Sequence, residues 1–285
     1  MSKDNKEIIT VRDLCLNFGK KVVLEHLDVT FEKGKTVLIA GNNGVGKSSF
    51  LRCLAGVLFT DSGQICIDES IPREKIAFIS DKMSLYEDFT LAQGIEFHSR
   101  AFNVKKNDFD PSLLLQLKLD MDQKIRGLSA GERAIYHFSL LLSQKPEILL
   151  VDEIIHKIDP YLRELFLEAL IGLIDEFNTS VIMVNHIFSE MGRIPERVLI
   201  MENGRFIFDE LSEDLHNKMK KIVTEKEIAA DIPVIFNYQT PLYNEYYVYP
   251  YAEGMGKGCG YEFQDVNLTE IVRSFIGGYY AKKRI

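Results

Sequence analysis

Residues 41–49, GNNGVGKSS, set Gly41 and Gly46 five apart with Lys47 and Ser48 directly behind, the spacing G-x-x-x-x-G-K-[ST]. Glycines let successive backbone N–H groups turn inward around phosphate oxygens, and a helix starting near Lys47 adds its positive end. This chemistry gives Asn42, Asn43, Gly44, Val45, Gly46 and Ser49 contacts along a nucleotide's phosphates. Lys47 reaches the β- and γ-phosphates, and Ser48 ligates Mg²⁺. A second concentration of charge, LVDEIIHKIDP at 150–160, sets Asp152 beside Glu153 at the end of an apolar run, with Asp159 before Pro160. Two adjacent ionised carboxylates repel, so their proximity needs a use.

The elements that position these residues read as α/β. EIITVRDLCLNF and VVLEHLDVTFEKG alternate with period two, and KTVLIAG is a buried run ending in Gly41. GKSSFLRCLAGVL changes to helical spacing, giving a strand–loop–helix unit over 35–57. Residues 90–145 read as mainly helical. EILLVDE and SVIMVNH are buried parallel-type strands flanking a helix over 160–176. From 213 the texture shifts: EDLHNKMKKIVTEKE reads as a charged helix, the Tyr-rich run PVIFNYQTPLYNEYYVYPYAEG as strands, and 267–283 as a last helix.

RGLSAGERAIYHFSLLL places Ser129 three residues before Glu132 at the head of an apolar helix. That is a capping box, and equally a helix start offering N–H groups and a hydroxyl to an anion. Taken in order, GNNGVGKSS, LSAGE, ILLVDE, KID and a strand ending in His186 resemble the nucleotide-binding subunits of ATP-binding cassette (ABC) proteins over residues 7–210, in particular the separately encoded ATPases of transporters. LSAGE departs mildly from the family's LSGGQ at Ala130 and Glu132.

The resemblance implies a P-loop NTPase core of the ABC type: an ABC ATPase domain at 1–212 with an N-terminal antiparallel β subdomain and a helical subdomain at 83–146. An α+β accessory segment follows at 213–285. It implies Mg-ATP held between two cassettes packed head to tail, so that the phosphate loop faces Ser129, Gly131 and Glu132 of the other cassette. Phe18 matches the aromatic that stacks on adenine, or is an ordinary loop aromatic. Asp152 serves the Mg²⁺ shell, Glu153 is the general base for water, and His186 contacts the γ-phosphate. Side chains alternate along a strand, which lets one acid face metal and the other water. Asp159 joins the sites across the dimer, caps the helix before Pro160, or does both. Asp81 stands where the family has a Mg²⁺-touching Gln; it is a metal ligand or only a loop residue. His156 has no family counterpart and reads as a surface or packing residue.

A separately encoded membrane permease is the implied partner, with the cassette on the membrane's cytoplasmic face. The spacing in LYEDFTLAQGIEF resembles ATPases of the ABC-2 export type. The alternative is a soluble ABC ATPase such as one serving iron–sulfur assembly. The bulk numbers agree with a globular chain: 285 residues, 46 % hydrophobic and 27 % charged. A net charge of −8 disfavours nucleic acid as partner. No apolar run spans a bilayer and the start lacks a secretory pattern, so a cytoplasmic chain is expected. Four scattered cysteines without a CxxC pair argue against a zinc site or a disulfide framework and are expected to be buried.

Overall fold

The computed structural model describes residues 6–80, 82, 84–105, 108–154, 158–185, 195–256 and 260–282, with backbone only at 216 and 277–282. Asp81, His156, His186 and Cys259 lie outside the described residues.

Two long strands, β1 (Glu7–Phe18) and β2 (Lys21–Glu32), form an antiparallel ribbon. Their buried positions alternate, but the phase slips. Ile9 and Val11 are inside and then Leu14 and Leu16; Phe31, Val29 and Leu27 are inside and then Leu24. The slips coincide with register shifts at Val11/Leu14 and Leu14/Leu16, the mark of extra residues that bend a ribbon. β3 (Thr36–Ala40) is wholly buried and runs through the Gly-rich loop into α1 (Lys47–Leu54). β4 (Ser62–Ile67) returns to pair with β1, completing a sheet of order β2-β1-β4.

β5 (Ile76–Ser80) begins a second sheet and leads into three helices, α2 (Leu91–Ala101), α3 (Ser112–Gln116) and α4 (Ala130–Ser143). Then come β6 (Ile148–Asp152), α5 (Pro160–Phe177), β7 (Ser180–Val184), β8 (Arg197–Glu202) and β9 (Arg205–Leu211). The sheet order is β5-β6-β7-β3-β8-β9, parallel except for the last pair. Alternation along these strands makes two cores at once. Leu38, Leu149, Val151, Met183 and Ile200 face α4 and α5; Ile39, Leu150, Ile182 and Leu199 face α1 and the antiparallel sheet.

The helices carry a small core of their own around Leu91, Leu114, Ile125 and Tyr136, whose hydroxyl donates to the Leu91 carbonyl at 3.0 Å. Beside it the amide of the buried Gln144 meets Nε2 of the buried His98 at 3.0 Å.

The charged helix expected over 213–227 stops early. α6 (Ser212–Lys218) is followed by β10 (Lys220–Thr224), because KKIVT is β-branched, buries Ile222 and pairs on both sides. β11 (Val234–Gln239), β12 (Asn244–Val248) and β13 (Phe263–Asp265) complete an antiparallel sheet of order β11-β12-β10-β13, and α7 (Leu268–Lys282) follows. This segment has a core around Ile222 and Val248, yet it also shares the main core through Leu215, Met219, Tyr247 and Ile271. Phe208 of β9 meets Phe275 of α7 at a tilt of 40°, with centroids 4.3 Å apart, and Tyr249 packs edge-on to both rings. The cysteines correct another expectation: Cys53 is buried, but Cys15 is half-buried and Cys66 exposed.

Burial holds His98 and His137 down at about 4, with repulsion between the two rings adding to the effect on His137. The unfolded chain therefore binds the extra protons between about pH 4 and the ordinary histidine value near 6.5. Stability contributed by the neutral rings is full above about pH 6.5 and falls toward pH 4, by about 1.4 kcal/mol per pH unit per histidine. Urea midpoints taken between pH 7 and pH 5 should drop accordingly, and less steeply in His98→Gln; identical slopes would refute the assignment.

Candidate functional site

The phosphate loop is wedged between the two sheets. Gly41 has φ 146 and a Cβ on it would collide with the Met201 carbonyl of β8. Gly46 has φ 115, and its Cβ would sit 2.6 Å from the Val23 carbonyl of β2. Only glycine satisfies both the backbone conformation and the space. Gly44, also left-handed at φ 78, has open space around it.

Inside the loop the Lys47 side chain is 3 % exposed. Its ammonium donates to the carbonyls of Gly41 at 2.9 Å and Asn42 at 2.8 Å, and stands 4.0 Å from Oε1 of Glu153. Burial lowers its pKa, while Glu153 and Asp152 act to raise it. Ser48, next along α1, donates its hydroxyl to Oδ1 of Asp152 at 2.7 Å. Residues 104 positions apart thus meet, because β3 and β6 flank β7 in the sheet.

Asp152 and Glu153 are separated otherwise than strand alternation suggests. β6 ends at Asp152, which is 2 % exposed. Glu153 adopts φ 49 and its N–H donates to the Val184 carbonyl at 3.1 Å. A left-handed glutamate is uncommon and costs roughly 1–3 kcal/mol. This turn, not the pleat, sends Glu153 to a position where its side chain is 35 % exposed and near the ammonium. Arg52, absent from the sequence reading, places Nη2 3.8 Å from Oδ2 of Asp152. The available signal was its spacing: Arg52 lies one helical turn after Ser48 on α1, on the same face.

Ser129 caps α4. Its hydroxyl accepts from the Glu132 N–H at 3.2 Å and the Glu132 carboxylate accepts from the Ser129 N–H at 2.8 Å, a complete capping box. Gly131 is buried, and a Cβ there would approach Leu162 Cδ1 to 2.5 Å and Asp159 Oδ2 to 3.7 Å. LSAGE therefore packs against the head of α5. Asp159 caps that helix, accepting from the Leu162 N–H at 3.1 Å ahead of Pro160. Phe18 ends β1 with its ring 53 % exposed. The structure thus brings Lys47, Ser48, Asp152 and Glu153 together at one place and Ser129, Gly131, Glu132 and Asp159 at another.

A cleft of about 470 Å³ lies between β5 and the helices, lined by Phe78, Tyr86, Phe97, Phe102 and His98 among others. At its rim Tyr86 stacks on Phe89 at 5.0 Å and meets Phe97 edge-on at 4.8 Å. Tyr86 and Phe97 are 57 % and 45 % exposed.

Residues 24–156, a little under half of the chain, match the family model described as ABC transporter. The fold is that of an ABC-type ATP-binding cassette. A solved structure of the ATP-binding subunit of an ABC transporter superposes with TM-score 0.66 at 22 % identity, covering 73 % of this chain and 92 % of that one. The structure of cbiO1 from Clostridium perfringens, part of the ABC transporter complex cbiONQ, gives 0.60 at 22 %, covering 73 % and 90 %. Among curated relatives, an Fe(3+) ions import ATP-binding protein, FbpC of Photobacterium profundum, is 26 % identical over 75 % of this chain and 64 % of its own length. The spermidine/putrescine import ATP-binding protein PotA of Haemophilus influenzae is 28 % identical over 72 % and 58 %. A methionine import ATP-binding protein, MetN 1 of Listeria monocytogenes, is 28 % identical over 75 % and 70 %. The chain thus spans less than two thirds of the length of the first two of these relatives.

Each helix cap has a measurable weight. Ser129→Ala and Asp159→Ala should each lower stability by about 1 kcal/mol, read as a lower urea midpoint at pH 7. Unchanged midpoints in both variants would mean that the caps carry no stability.

Proposed function

We propose that this chain, built on an ATP-binding cassette, binds and hydrolyses ATP as the energising subunit of an ABC transporter, paired with a second cassette beneath a separately encoded permease. The observation that carries it is the meeting of Lys47, Ser48, Asp152 and Glu153. A buried ammonium held by two backbone carbonyls is ready to exchange them for phosphate oxygens. The N–H groups around Gly44 and Gly46 supply the cradle, and the exposed ring of Phe18 is a stacking surface for a base. The Ser48 hydroxyl and the Asp152 carboxylate are hard oxygen donors 2.7 Å apart, a donor set suited to Mg²⁺. Mg²⁺, when bound, neutralises phosphate charge. Arg52 neutralises Asp152 from the other side.

Glu153 is placed for the remaining task, accepting a proton from water attacking the terminal phosphate. It is partly exposed, fixed by its left-handed turn, and close to the ammonium. Such positioning and charge stabilisation are the main needs of phosphoryl transfer to water. His186 and Asp81 complete this reading as γ-phosphate contact and metal ligand, on the family resemblance. Ser129 is exposed at the start of α4, where its helix end is available to the phosphates of a second cassette; Glu132 and Asp159 belong to the same face.

The relatives above are named for import of iron(III), spermidine/putrescine and methionine, which favours import; the export type expected from residues 85–97 has no support among them. No helix among the described residues is long and apolar enough to cross a membrane; in this reading the permease holds the chain at the cytoplasmic face. The rim aromatics Tyr86, Phe89 and Phe97 offer an apolar surface for that contact.

Glu153→Gln should retain ATP binding and lose turnover a hundredfold to ten-thousandfold, about the contribution of a general base. Lys47→Ala should lose ATP binding. Turnover at the parent rate in Glu153→Gln would remove the base assignment. Phe97→Asp should abolish co-purification with the membrane partner while basal ATPase activity persists; undiminished co-purification would exclude this surface.

A further inference from the structure

Three metal-ligating side chains meet on the β1–β2 ribbon, apart from the residues of the phosphate site. One ligand atom each of Asp13, Cys15 and His26 lies within 4.8 Å of the other two. His26 Nδ1 is 2.5 Å from Asp13 Oδ1 and 3.8 Å from Cys15 Sγ. Asp13 and His26 are exposed, and Cys15 is a half-buried free thiol. In the sequence they are scattered and make no CxxC pattern; strand pairing gathers them.

The backbone is shaped for this gathering. The register shifts of the ribbon fall at these residues. Asp13 and His26 both take φ 49, and extra residues in a ribbon re-aim side chains. The Asp13 N–H donates to Asp28 Oδ1 at 2.9 Å, and the His26 N–H to Cys15 Sγ at 3.4 Å. Gly63 of β4 leaves the room that Asp13 needs, since a Cβ there would strike the Asp13 carbonyl.

We infer that Asp13, Cys15 and His26 form a three-ligand site for Zn²⁺ or a similar borderline-soft divalent ion, with a fourth position open to water. One nitrogen, one sulfur and one oxygen are the donors such ions take, whereas Mg²⁺ wants oxygen alone. Tetrahedral Zn²⁺ sets S and N about 3.5 Å apart and N and O about 3.3 Å apart. The observed 3.8 and 2.5 Å lie on either side of those values. The ion enters by replacing the hydrogen bond between His26 and Asp13, and the three side chains need shift by less than about 1 Å. The Cys15 thiol releases its proton to solvent as it ligates.

The test is titration of the full chain with Co²⁺ alone, without nucleotide or Mg²⁺. A thiolate-to-cobalt charge-transfer band should saturate at one equivalent and be displaced by Zn²⁺. Cys15→Ser should abolish the band, His26→Ala and Asp13→Ala should weaken binding more than about tenfold, and Cys66→Ser and Lys47→Ala should leave it. In the unsubstituted chain Zn²⁺ should slow alkylation of Cys15, mapped by mass spectrometry, which reads the site even where a variant fails to fold. Absence of the band, its survival in Cys15→Ser, or an unprotected Cys15 would each overturn the assignment.

Discussion

A lysine ammonium buried on backbone carbonyls is the constraint on which the rest depends. Lys47 is held by two carbonyls of its own loop, with Glu153 standing off at 4.0 Å. Burying a charge is costly unless hydrogen bonds and nearby opposite charge compensate it. The compensation here comes from three directions. The loop must curl tightly enough for its carbonyls to face inward, which requires the left-handed glycines. β8 and β2 must press on that loop from both sides, since Gly41 abuts Met201 and Gly46 abuts Val23. β6 must deliver Asp152 and Glu153 at the same height as the loop. The six-stranded sheet and the antiparallel sheet are thereby tied to one buried cation, satisfied by backbone oxygens.

Much of this was legible in the residues. The runs read as strands at 35–41, 147–153 and 180–186 hold buried strands at 36–40, 148–152 and 180–184, and the 160–176 helix is α5 within one residue. Period-two alternation inside an all-apolar run also decides which residues face which core, a division that becomes visible only once helices cover both sides. The capping readings of Ser129 and Asp159 are realised together with the packing of LSAGE on α5. What escaped was backbone conformation that side-chain pattern does not encode. Nothing in the pair Asp152–Glu153 signals that the second acid turns left-handed, nor does the charged stretch after 218 betray a strand until its pairing partners 20 to 45 residues on are in place. The gathered Asp13, Cys15 and His26 belong to the same class: the two runs were read as period-two strands, and the slips that bring the three together show only when both strands are paired. Asp81 and His186 stay with the resemblance that suggested them.

Residues 213–282 are held to the preceding strands by rings and by charge, since the Lys218 ammonium donates to Oε2 of Glu210 at 3.0 Å. Phe208, Tyr249 and Phe275 form a three-ring cluster, and the Tyr249 hydroxyl donates to Glu210 on β9 at 2.9 Å. Burial and the Glu210 carboxylate push that hydroxyl up to about 12, so it remains a donor across the physiological range. Residues 213–282 share the main core while keeping a small one of their own.

The strand order has a consequence for the making of the molecule. β3, which carries the phosphate loop, pairs with β7 and β8, whose residues come some 140 to 160 positions later. As the chain leaves the ribosome the loop emerges before its sheet neighbours, and its strand has none until residues 180–202 follow it out. The segment 24–156 that matches the cassette family ends before either neighbour. Over the residues between β3 and β7 the nascent chain carries an apolar strand in waiting, so the sheet that backs the loop forms only after long-range pairing.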